Sequence, residues 1–223
     1  MSMSQNKNLI ISYLTMRRLI GILGIALPIV VVVGGFIQNG FALQGSISGY
    51  YYTNMRDFFV GLLCGVSLFL VSYKGYEKID DLVGKMSGIF ALGIVIFPTS
   101  MYSGKVVQVG MFLIDDNISE YIHLTFSALF FLLLSFNSMF LFTRRGPGVL
   151  SKEKKRRNMT FRICGIVMTV AIACATVYTL FLRDTVISKI FPVIIFESIA
   201  LLAFGVSWLV KGHTLFKDKS IEF

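Results

Sequence analysis

Apolar residues in this chain fall in long unbroken runs. They show neither the short alternation of half-buried strands nor the one-sided stripe of a surface helix. A helix needs about 20 apolar residues to cross a hydrocarbon core roughly 30 Å thick at about 1.5 Å per residue. Reading for such runs gives six: 19–37, 58–73, 82–97, 121–142, 163–182 and 191–210. The second and third are the shortest, and Lys74, Asp80, Asp81 and Lys85 crowd their facing ends, where long side chains can reach back to the headgroups. The pattern predicts an all-α polytopic membrane protein, a bundle of six transmembrane helices forming a single transmembrane domain over residues 1–223.

The polar positions then orient the bundle. Segment 144–162 carries Arg144, Arg145, Lys152, Lys154, Lys155, Arg156, Arg157 and Arg162 against one acid, Glu153. A basic loop between apolar spans stays cytoplasmic, because translocating Lys and Arg is disfavoured. With the N-terminus inside, seventeen of the 21 Lys and Arg fall on inner segments, leaving Arg56, Lys105, Arg183 and Lys189 outside. Every inner segment is basic, which predicts both termini cytoplasmic and a bacterial inner-membrane location. The first run is too long for a signal-peptide core of about 7–15 residues and no small-residue cleavage site follows it, so it reads as a retained helix. Only 15% of the residues are charged, against roughly a quarter in soluble domains. The net charge of +9 comes mostly from the basic loop.

Inside a membrane, helices gain little from burying apolar surface and rely on small residues for close approach. Gly61 with Gly65, and Gly84 with Gly88, mark such faces on the second and third spans, and Pro28 removes a donor from the first. Cys64, Cys164 and Cys174 all lie within spans, so a disulfide framework is not expected.

The outer side holds the polar groups that invite chemistry. Loop 38–55 has no charge but carries Ser46, Ser48, Tyr50, Tyr51, Tyr52 and Thr53; Arg56 and Asp57 follow, and Glu120 and His123 open the fourth span. Glu197 lies about 9 Å inside the sixth span at helical rise. An ionisable group there costs about 3 kcal/mol or more on insertion scales, so it should face the bundle and have a partner. Arg56 and His123 are the partners that the topology offers. Arg56, Asp57, Glu120, His123 and Glu197 thus form a candidate outer-leaflet site for a lipid headgroup or small solute; the bland alternative is that they lock the outer helix ends together. Lys152, Lys154, Lys155, Arg156 and Arg157 form a second candidate, for anionic lipid headgroups, each base near the surface contributing about 1 kcal/mol.

Several chemistries drop out. His123 and His213 lie on opposite sides of the bilayer and cannot share a metal, and no zinc-protease, thiol-redox, nucleophile-elbow, Walker or dinucleotide pattern occurs. No metal and no cofactor is expected. The basic loop lacks the interleaved aromatics of a nucleic-acid surface, so the partner expected is the bilayer itself, with its anionic lipids. A serine nucleophile, from Ser46, Ser48 or Ser100 with His123 as base, has no support from spacing.

The run 46–61 (SISGYYYTNMRDFFVG), the stretch Tyr73 to Tyr76 with the following Asp80, the Phe97-Pro98-Thr99 end and the run 204–212 (FGVSWLVKG) resemble recurring stretches of bacterial multi-pass membrane proteins. In plan, six spans with a polar first outer loop are similar to the Frag/DRAM/Sfk membrane proteins. The resemblance implies an integral membrane protein and brings no catalytic residue. The function expected is therefore binding without catalysis at the outer polar site. The alternatives are a lipid-modifying enzyme using His123 and Glu197, and a small-solute transporter, for which polar residues deeper in the spans are sparse.

Overall fold

The computed structural model describes residues 3–38, 43–100, 108–144, 151–182 and 192–216. Six helices dominate, one per apolar run: α1 Met3–Gln38, α2 Arg56–Ser72, α3 Lys78–Ile96, α4 Asp116–Phe136, α5 Lys152–Val177 and α6 Pro192–Lys211. Single π-helical turns, Asn137–Leu141 and Tyr178–Leu182, extend α4 and α5. Four stretches are long and apolar enough to cross a membrane: Tyr13–Gln38, Asp116–Leu141, Lys152–Leu182 and Pro192–Lys211. α2 has only 17 residues, about 26 Å at helical rise, and α3 carries Lys78, Asp80, Asp81 and Lys85 in its first half.

Each helix packs against its neighbours in sequence, and α6 closes on α1, so the six form a ring. Leu27, Phe59, Leu63, Phe130, Phe204 and Trp208 fill its interior. Close approaches are made at small residues. A β-carbon added at Gly21 of α1 would lie 2.8 Å from the Gly205 carbonyl oxygen of α6, and one at Gly205 2.7 Å from that of Gly21. Between α2 and α3 the Ser67 hydroxyl donates to the Gly88 carbonyl at 2.7 Å, and between α4 and α5 Ser135 donates to Gly165 at 2.7 Å. Gly61, by contrast, faces open space, so the small-residue face of α2 does not extend to it.

Three local features depart from the sequence expectation. α1 starts at Met3, well before its apolar run. The basic segment is not a loop beyond Ser151: the Ser151 hydroxyl accepts the Lys154 N–H at 3.1 Å, and the Lys, Glu and Arg that follow are good helix formers. Lys152 to Arg162 accordingly winds as the first turns of α5; Arg145 lies outside the described residues. Before α4, β1 (Gln108–Val109) and β2 (Ile114–Asp115) pair antiparallel through a turn in which Gly110 takes φ +72°. Strands this short carry too little alternation to be read from sequence.

Candidate functional site

The bundle has two polar ends. At one, segment 43–55 folds onto the starts of α4 and α6. Gly45 offers its carbonyl to the Ile194 N–H at 3.1 Å, and the Ile47 N–H donates to Glu197 Oε2 at 2.5 Å. The Ser48 amide and hydroxyl also interact with that carboxylate. Ser48 Oγ lies 2.9 Å from His123 Nε2. His123 Nδ1 faces the carbonyl oxygens of Phe97 at 2.8 Å and Ile94 at 3.2 Å. Two acceptors at Nδ1 assign the ring proton there, so Nε2 is an acceptor and shares the single Ser48 hydroxyl proton with the Glu197 carboxylate. Glu197, Ser48 and His123 thus form one chain of contacts joining α6, segment 43–55 and α4. Below it a cavity of about 30 Å³, lined by Ser48, Ser127 and Glu197 among apolar side chains, has room for about one water.

The other expected members of this cluster lie elsewhere. Arg56 does not pair with Glu197: it donates to the Tyr51 hydroxyl at 2.7 Å and lies over the Tyr51 ring, 4.3 Å from its centroid. The physical reason is that main-chain amides of segment 43–55 reach Glu197 and supply the donors its carboxylate needs. Asp57 is exposed in the first turn of α2, where the helix dipole favours an acid. Glu120 lies near Tyr52, whose hydroxyl donates to the Thr99 carbonyl at 2.6 Å. Burial pushes the Tyr52 phenol up to about 12, so it stays a protonated donor. Of the three serines considered as nucleophiles, only Ser48 meets His123: Ser46 caps the Gly49 amide and Ser100 donates to Asp116 at 3.2 Å. Buried Asp116 was not singled out by the sequence, where it reads as an ordinary helix-start acid.

The opposite end is open. A cleft of about 420 Å³ is lined by Arg17, Arg144, Lys154, Arg157 and Lys211, by one acid, Glu77, and by Tyr76, Phe142 and His213. Arg144 binds Glu77 at 2.7 Å and Asp80 at 3.4 Å. Asp80 in turn accepts the Tyr76 and Glu77 amides at 2.9 and 3.0 Å, tying the α2–α3 turn to α4. Arg17 is only 2% exposed; its guanidinium stacks 4.1 Å from the Tyr13 ring centroid. Lys211 Nζ lies 4.6 Å from the Phe142 centroid and 5.3 Å from that of Tyr76. Aromatic faces offset part of the cost of gathering like charges. Arg157 donates to the Phe216 carbonyl at 2.6 Å, and Lys154 to that of Phe142 at 3.3 Å.

Helical periodicity therefore divides the basic segment. Lys154 and Arg157, three apart, share the face that lines the cleft, whereas Lys152, Lys155 and Arg156 are exposed. Arg17, Arg144 and Lys211 join them from α1, the end of α4 and the end of α6. In sequence these three are far apart and read only as orientation signals. Their common position at the ends of apolar runs on one side of the bundle was the available clue. Among the described residues no three His, Cys, Asp or Glu side chains gather into a metal-binding group. No protein-family profile, curated protein or solved structure matches this chain at a significant level.

Proposed function

We propose that this chain is a six-span integral protein of a bacterial inner membrane, both termini cytoplasmic, that binds a phosphate-type anion in its basic cleft at the cytoplasmic leaflet. The observation that carries the reading is the convergence of Arg17, Arg144, Lys154, Arg157 and Lys211 on one space of about 420 Å³. Positive-inside orientation supports placing that end in the cytoplasm, where anionic headgroups concentrate. Binding without catalysis is favoured because the Ser48–His123 pair is walled in: both residues are buried and their polar atoms serve each other, Glu197 and the main chain.

Retention of anionic phospholipid through purification in a neutral detergent tests the reading. Wild type should keep it, and the double variant Lys154→Gln/Arg157→Gln should lose most of it. Lys152→Gln/Lys155→Gln removes the same charge from the exposed face and should retain it. Equal loss in both doubles would reduce the segment to an orientation signal.

A second reading places a site for water or a similarly small solute at the outer end, favoured by the cavity between Ser48, Ser127 and Glu197. At about 30 Å³ it is too small for a headgroup.

A further inference from the structure

We propose that the turn joining β1 to β2 is an anchor in the outer leaflet. Met111, Phe112 and Leu113 sit at the boundary between acyl chains and headgroups rather than in the aqueous space outside. The proposal rests on the reading above that α3 and α4 cross the bilayer, and is independent of the anion cleft at the other end.

The chemistry of the turn is the first argument. Segment 108–114 (QVGMFLI) carries no charge and one polar side chain, Gln108. Met111, Phe112 and Leu113 are between 57% and 70% exposed. A turn tip in water is ordinarily built from Gly, Asn, Asp or Ser, which tolerate positive φ and hydrogen-bond locally. Here Leu113 takes φ +50°, a conformation in which Gly or Asn is the usual residue. Large apolar side chains thus stand where water favours small polar ones. Single apolar residues scattered on a surface need no account; three in succession at the tip of a turn call for a cover. The nearest carboxylate in sequence, Asp115, turns back to accept the Asn117 amide at 2.9 Å.

Ring contacts then fix the height of the tip. The Phe112 ring stacks on that of Phe97, just after α3, with centroids 5.7 Å apart, and Phe97 stacks on Phe126 of α4 at 5.9 Å. Phe126 lies ten residues along α4 from Asp116, about 15 Å at helical rise. The two ring steps together are shorter than that, so the Phe112 ring does not stand clear of the helix end. It lies level with the first turns of α4, where Ile118 and Tyr121 are also exposed. Aromatic rings at the end of a span belong to the interface, where an apolar body meets acyl chains and a polar tip meets headgroups.

Continuity with the flank of the bundle names the occupant. From Phe126 the row of rings runs on to Phe90 of α3 at 5.8 Å. Phe90, Phe97 and Phe126 are half-buried, while Ile89, next to Phe90, and Leu129, one turn beyond Phe126, are exposed. In a six-span bundle this flank faces acyl chains, and the turn extends the same uncharged surface outward to the headgroups. Lipid covers it without desolvating a charge.

Depth-dependent fluorescence quenching tests the placement. Phe112→Trp and Met111→Trp are made separately in the full-length chain, and their unfolding midpoints are compared with wild type; the second leaves the Phe97 stack in place. Trp208, the native tryptophan, is buried, and its emission, measured in wild type, is subtracted. Each variant is reconstituted into phosphatidylcholine vesicles brominated on the acyl chain near the headgroup or near the terminal methyl, with iodide as the aqueous quencher. Shallow bromine should quench both tip variants about twofold more than deep bromine, and iodide should quench them little. Leu129→Trp, exposed in the middle of the Asp116–Leu141 stretch, is the control that deep bromine should quench most. Strong iodide quenching of the tip variants with no response to bromine places the turn in water and overturns the proposal. Shielding from both quenchers also overturns it, because a protein neighbour such as a second copy of the chain then covers the tip. With either result, quenching of Leu129→Trp by deep bromine leaves the spanning reading standing. No lipid quenching of Leu129→Trp overturns both.

Discussion

Replacing Glu197 by alanine strands the Ile47 amide, which donates to it inside the bundle. A buried donor left without its acceptor costs about 1–3 kcal/mol, so Glu197→Ala should lower the midpoint of unfolding in detergent, followed by circular dichroism. Glu197→Gln keeps an acceptor oxygen in place and should lie much closer to wild type. The two variants melting alike would show that the main-chain contact is not what holds segment 43–55 down. Arg56 is a different case. Arg56 is itself exposed and its partner is Tyr51, so Arg56→Ala should cost below about 1 kcal/mol. A salt bridge from Arg56 to Glu197 would make it far more damaging, because loss of the arginine would leave a buried acid unpaired. The same melting measurement distinguishes the two.

Helix contacts set the scale above the single side chain. α1 and α6 approach through Gly21 and Gly205, where an added β-carbon meets main-chain oxygen at 2.7–2.8 Å. Backbone cannot step aside as a side chain end can, so Gly205→Leu should destabilise by at least about 1–3 kcal/mol. Gly61→Ala, facing open space, should be neutral within roughly 0.5 kcal/mol. Comparable losses at both positions would contradict the packing described. These two glycines also show how far the sequence can be read. The apolar runs place all six helices, four of them long and apolar enough to cross a membrane. Gly61 and Gly65, spaced for one face, look as good in sequence as Gly84 and Gly88. Spacing reports which residues share a face and not what that face meets. The same gap explains the site. Glu197 reads as needing a partner, but a main-chain amide leaves no mark in sequence, and Arg56 was the visible alternative. Lys154 and Arg157 were visible as basic residues, yet their separation from Lys155 and Arg156 depends on α5 starting at Lys152, set by the Ser151 cap.

For the whole molecule the account depends on which end faces the cytoplasm. Arg17, the α2–α3 turn, the end of α4, the start of α5 and the end of α6 meet around the cleft, while Ser48, His123 and Glu197 meet at the opposite end. The anion reading needs the first end inside, next to the anionic leaflet and the soluble phosphates of the cytoplasm. Single cysteines at Lys155, exposed beside the cleft, and at Asn117, exposed at the start of α4, test this in intact cells with the native cysteines replaced. The account predicts that an impermeant thiol reagent labels Asn117→Cys and reaches Lys155→Cys only after the membrane is opened. Labelling of Lys155→Cys in sealed cells, with Asn117→Cys protected, would contradict it.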